Sequence, residues 1–148
     1  MALWLCFLIQ FSSVKALACP FELPAGSISV KDHTLMVELA TTPEARVCGL
    51  SNRLKLPQNH GMLFIHPTLR SRTFWMKNTH IPLSIAFLDD SGRIISIQDM
   101  TPMQTVERYH SPQPVRYALE VNKGWFDKRG IAVGDVVEMK LPLVVNVK

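Results

Sequence analysis

Apolar and polar residues alternate with a period of two along several short stretches of this chain. Residues 34–40 set Leu35, Val37 and Leu39 on one side against Met36 and Glu38 on the other, which predicts a half-buried strand entered by a turn at Lys31-Asp32-His33. Thr42-Pro43-Glu44 then supplies an N-cap, a proline at the first helical position and an early acid, so a helix is expected to run to about residue 50. Short apolar strands are expected at 62–65, stopped by His66-Pro67, at 73–76 and at 83–88. Asp89-Asp90-Ser91-Gly92 reads as a hairpin connection into a strand at 93–98. A proline-punctuated loop covers 101–114, and a strand follows at 117–121. Residues 124–129 suit one or two helical turns closed by Gly130, and Gly134-Asp135 turns into a last strand at 136–141. The sum is a β-rich α+β domain: a compact curled sheet or small barrel with two short helices.

The amino terminus has a different pattern. Residues 3–11 form an apolar run with Gln10 as its one polar residue, and Ala16-Leu17-Ala18 follows as a small-x-small cleavage pattern. The run is shorter than the roughly 20 residues that span a bilayer. It is read as a signal peptide over 1–18, although no Lys or Arg precedes the run, with an interfacial amphiphile as the alternative. The remaining 19–148 form one domain, exported to a periplasmic or extracellular location. Cleavage would remove Cys6 and leave Cys19 and Cys48. Two outcomes stay open for them: a disulfide, as an oxidising compartment permits, or lipid attachment at Cys19. Ala16 suits lipidation poorly, which favours the soluble form.

Composition narrows the classes further. With 47% apolar and 19% charged residues, the chain is neither disordered nor a multi-helix membrane protein. A net charge of +4 is too modest to mark a nucleic-acid binder, so no nucleic-acid partner is expected. Distribution says more than the total. Between Glu44 and Leu88 stand six basic residues (Arg46, Arg53, Lys55, Arg70, Arg72 and Lys77) and a single acid. That segment is either a solvated face or a groove for an anionic group, to which Arg supplies bidentate hydrogen bonds. No phosphate-cradling glycine loop, nucleophile elbow or His-Glu-x-x-His pair is present, and the histidines lack the spacing of a zinc site. No cofactor or metal is expected.

Two runs concentrate the remaining chemistry. Phe74-Trp75-Met76-Lys77-Asn78-Thr79 leads two aromatics into a polar turn, and Pro82 holds the following residues extended. Leu119-Glu120-Val121-Asn122 alternates so that Glu120 and Asn122 share one side of a strand, beside Gly124-Trp125. That side lines a pocket or faces water at a sheet edge.

Taken with Arg46-x-x-Gly49-Leu50-x-x-Arg53, Gly61-Met62-Leu63-Phe64 and Gly130-Ile131-x-Val133-Gly134-Asp135, these runs resemble the ordered motifs of the domain of unknown function 192 family, over about residues 28–142. The resemblance implies a small β-rich domain, often behind an export signal, and brings no reaction with it. Ser51 departs from the Met usual after Gly-Leu in that family.

Three function classes follow. The first is an exported non-catalytic binding module for an envelope saccharide or anionic group. Its candidate ligand-binding residues are Arg46, Arg53, Trp75, Lys77, Asn78, Thr79, Glu120 and Asn122, with Trp75 or Trp125 as the aromatic wall. The second is an envelope-polymer hydrolase or transferase using Glu120 as acid or base and Lys77 or Arg46 to stabilise charge. The third is a structural envelope protein.

Overall fold

The computed structural model describes Cys19, residues 22–143 and residues 145–148; the expected signal peptide lies outside them. Nine strands are present among the described residues: β1 (Ala25–Val30), β2 (His33–Ala40), β3 (His60–Arg70), β4 (Thr73–Phe74), β5 (Leu83–Leu88), β6 (Ile94–Met100), β7 (Tyr109–His110), β8 (Val115–Asn122) and β9 (Val137–Lys140). Seven of them form one sheet in the order β6-β5-β8-β3-β2-β1-β9, and β4 pairs with β7 as a separate ribbon.

The large sheet curls into a half-barrel. At one corner its two edges meet, where Arg93 bridges Val136 and Val137 donates its amide to the Gly92 carbonyl at 2.9 Å. Gly92 has a φ of +82°, and a Cβ there would stand 2.6 Å from the Val137 carbonyl oxygen. Only glycine fits this seam without displacing backbone.

Among the described residues a single six-residue α-helix, α1 (Pro43–Cys48), crosses between the parallel strands β2 and β3. Thr42 caps it, its hydroxyl accepting from the Ala45 amide at 3.2 Å. The second expected helix is reduced to one 3-10 turn, Asp127–Arg129. Trp125 and Phe126 are both buried there, and two adjacent inward side chains leave no helical face to prolong. Cys19 and Cys48 form a disulfide with Cα atoms 5.6 Å apart, tying the start of the described chain to the end of α1.

The central strands are covered on both faces. Leu63, Ile65, Ala86, Leu88, Leu119 and Val121 point into the curl, where Trp125 and Phe126 also pack. Their alternating neighbours Met62, Phe64, Leu83, Ile85, Phe87 and Ala118 form a second core on the outer side, under α1 and the loops. The β4–β7 ribbon is pinned over that outer core by Phe74, whose ring meets Phe64 edge-on at 4.9 Å and Phe87 at 5.7 Å.

Candidate functional site

The run after Phe74 is held by backbone hydrogen bonds on two sides. Asn52 donates its amide to the Asn78 carbonyl (2.8 Å), and Met103 to that of Thr79 (3.0 Å). Met76 is fully buried, so it anchors the loop while Trp75 and Lys77 stay outside; Asn78 takes the left-handed conformation with φ +55°. Trp75 is 43% exposed, and Lys77 Nζ and Arg108 Cζ lie 5.2 and 4.9 Å from its ring centroid.

On one side of Trp75 lies a cleft of about 670 Å³, walled by Arg46 and Val47 of α1, by Phe64, Phe74 and Trp75, and by His66 and Arg72. A bulge in β3 shapes it. Ile65 pairs with Tyr117 and Arg70 with Val115, so residues 66–69 stand against Arg116 alone and loop outward. Pro67, which has no amide hydrogen to donate, sits within that bulge.

The electrostatics of the cleft are one-sided. Arg46 donates to the Ile65 carbonyl (2.9 Å) and to the Lys148 main-chain oxygen (2.6 Å), while Arg72 donates to the Thr68 carbonyl. Arg72 Nε and His66 Nε2 are buried without partners. Burial, then the charges of Arg72 and Arg46, push the His66 pKa down to about 3, so its ring is neutral. The Arg72 guanidinium is lowered by burial and by Arg46 and Arg70. No carboxylate side chain lines the cleft among the described residues. Such an arrangement offers donors and positive charge to an anion.

Beneath the cleft a narrow crevice of about 30 Å³, room for roughly one water, runs between α1, Phe64, Phe74 and Thr79 to Glu120. Glu120 is 5% exposed, and burial is the one influence acting on its carboxyl among the described residues. Burial pushes its pKa up to about 8, so the group is neutral at pH 7 and adds no negative charge to the crevice; the acid that acts on Arg46 is Glu44.

The candidate residues therefore divide. Arg46, Trp75, Thr79 and Glu120 border the one crevice, and Lys77 and Asn78 line a second depression beyond Trp75. Arg53 is bound in both directions to the Glu38 carboxylate, away from these cavities. Asn122 donates to the Leu56 and Pro57 carbonyls at 2.9 and 3.2 Å and fixes that loop. Trp125 is buried in the curl, its indole aimed at Asn59 (3.4 Å). Glu120 and Asn122 stand on a central strand between β3 and β5, so the side they share is covered by protein and is not a water-facing edge. His66 is the residue that sequence reasoning passed over as a site member, while Arg72 entered it only as one of the six basic residues of the segment from Glu44 to Leu88. A proline inside an apolar strand was the available sign of a bulge that would turn them toward a cleft.

No group of three or more His, Cys, Asp or Glu is placed to hold a metal ion among the described residues. No helix among them is long and apolar enough to cross a membrane.

The model of the domain of unknown function 192 family, described as an uncharacterized ACR, matches residues 26–139, and the chain belongs to that family. A crystal structure of a Sinorhizobium meliloti protein, provisionally described as a transcription regulator, is similar at 32% identity and a TM-score of 0.77, covering 81% of this chain and 97% of that one. A protein of unknown function from Novosphingobium aromaticivorans is similar at 31% identity and the same TM-score of 0.77, covering 83% and 91%. No curated protein matches the sequence.

Proposed function

We propose that this protein is an exported, non-catalytic binding module whose cleft takes an anionic group carried by an envelope saccharide or small molecule. One observation carries the reading: Arg46 and Arg72 flank a neutral, unpartnered His66 in a cleft with aromatic walls and no lining carboxylate. Desolvated like charges destabilise a fold unless a counter-charge arrives, and a bound carboxylate or phosphate would supply that charge beside the Arg46 and Arg72 guanidinium groups. The aromatic wall supplies the apolar contact typical of small-ligand sites. Export is supported by the apolar amino-terminal run and by the Cys19–Cys48 bridge, since such bridges persist in oxidising compartments.

The test is thermal unfolding with glucuronate, inorganic phosphate and glucose at matched ionic strength. Saturable stabilisation by an anion but not by glucose, lost in Arg72→Ala, is the expected result. Equal response to all three, or to none, contradicts the reading.

A second reading, an envelope-polymer hydrolase or transferase, is favoured by one feature: Glu120 holds its proton at neutral pH, as a general acid must. In that case Arg46, which shares the crevice, stabilises charge rather than Lys77, which does not border it.

A further inference from the structure

Trp75 is the partition between two cavities. Beyond it, opposite the cleft, lies a depression of about 230 Å³ bordered by Cys19, Ser51, Asn52, Trp75, Lys77 and Asn78. The lining combines apolar surface from Val47 and the half-exposed Trp75 indole with hydroxyl, amide and ammonium groups. Arg108, from the loop before β7, reaches the same ring. A cation is therefore available on this side as well as in the cleft. Among the described residues neither Lys77 nor Arg108 takes part in an ion pair.

Resting on the anionic-ligand reading of the cleft, we infer that the depression is a second subsite, and that the two together bind an acidic oligosaccharide across Trp75, one uronate-bearing unit on each side. Three features converge on this ligand class. Cations stand on both sides of the indole, Arg46 and Arg72 in the cleft and Lys77 in the depression, with Arg108 also against the ring, which matches a polymer with a carboxylate on successive units. The indole and the polar residues around it suit a sugar, which has an apolar ring face and a hydroxyl-bearing edge. An acidic peptide would instead ask for an open strand edge to pair its backbone, and none borders the depression among the described residues.

The contacts of Lys77 and Arg108 with the ring do not block the subsite. At an exposed position a cation–π contact is weaker than a hydrogen bond to a charged group. Lys77 is long and flexible and leaves only the ring when it turns to an incoming carboxylate, whereas Arg108 also donates to the Thr105 carbonyl.

Isothermal titration with galacturonic acid, its tetramer and tetraglutamate separates the outcomes, on wild type, Arg72→Ala and the double variant Lys77→Ala/Arg108→Ala. The tetramer is expected to bind at least tenfold more tightly than the monomer, beyond the statistical gain of having four units. In the double variant that advantage disappears and monomer affinity stays, whereas Arg72→Ala weakens both. Monomer binding that depends on Arg72, with no gain for the tetramer, overturns the second subsite and leaves the cleft reading standing. Tetraglutamate binding as tightly as the tetramer overturns the saccharide in favour of an acidic peptide. Failure of every ligand to bind overturns the cleft reading and this inference with it.

Discussion

Glu120 faces Met62 of β3 on one side and Ile85 of β5 on the other, so a carboxyl group stands within a row of apolar side chains. Burial holds its proton up to about pH 8, against an ordinary value of 4.5 in the unfolded chain. Between those values the folded protein binds more protons than the unfolded one, so its stability falls as pH rises through this window and levels off above it. Glu120→Gln removes the titrating group. Thermal unfolding from pH 4 to pH 9 should show a flatter profile for the variant and a melting temperature about 4 °C or more above wild type at the alkaline end. Parallel profiles would mean that the carboxyl is ionised in the fold.

The same proton affects the cleft. Once Glu120 ionises, its charge offsets that of Arg46 in the shared crevice, so anion affinity should decline above about pH 8. In Glu120→Gln this decline should be absent. Titrations of wild type and variant at pH 7 and pH 9 measure the difference.

His66 is held neutral by burial and by two arginines, and its pKa of about 3 is open to direct measurement by following its ring protons through a pH series. Arg72→Ala removes one repelling cation and should move the value upward, with burial keeping it below the ordinary 6.5. A saturating anion should do the same in wild type. An upward shift from neither change would show that the arginines do not act on this ring.

Much of the fold was legible in the sequence because short apolar runs mark strands buried on both faces, as at β5, and alternation marks those half-buried, as at β2. The strand expected at 83–88 is β5 to the residue, and the expected strand at 117–121 is the middle of β8. β1 escaped notice because its inward set is Gly26, Ile28 and Val30, with only two large apolar residues among serines. Alternation correctly grouped Glu120 with the outer side of β8, but not its dryness. That follows from β3 and β5 on its flanks and α1 above, a topology a single strand pattern does not record. Trp125 and Trp75 looked alike in sequence, each beside polar residues. The first is buried next to Phe126, and the second is kept outside because Met76 takes the inward position. The Cys19–Cys48 pairing could not be chosen over lipidation, since two cysteines fix no distance until α1 and the chain start are placed.

The disulfide closes a segment with a sequence separation of 29. Loop-closure entropy for a segment of that length gives about 3–4 kcal/mol of stabilisation. Reduction under native conditions, or Cys48→Ser, should lower the unfolding free energy by an amount of that order in urea titrations. A change below about 1 kcal/mol would indicate that the amino-terminal end is already held by other contacts.

Arg53 and Asn122 are expected to act on stability alone. Arg53→Ala strands Glu38, and Asn122→Ala leaves the Leu56 and Pro57 carbonyls without their side-chain donor. Each should cost about 1–2 kcal/mol while anion affinity stays within twofold of wild type. A large loss of affinity in a fully folded variant would relocate the site toward that residue.

The most direct measurement is a nitrogen-15 NMR titration of the protein with galacturonate, following the indole and guanidinium N–H signals. Progressive, saturating shifts of Trp75 Nε1–H and of the Arg46 and Arg72 Nε–H signals, with Trp125 Nε1–H unmoved, are expected of an anion seated in the cleft beside α1. Shifts centred on Trp125, Asn59 and Asn122, or none at millimolar ligand, would contradict it.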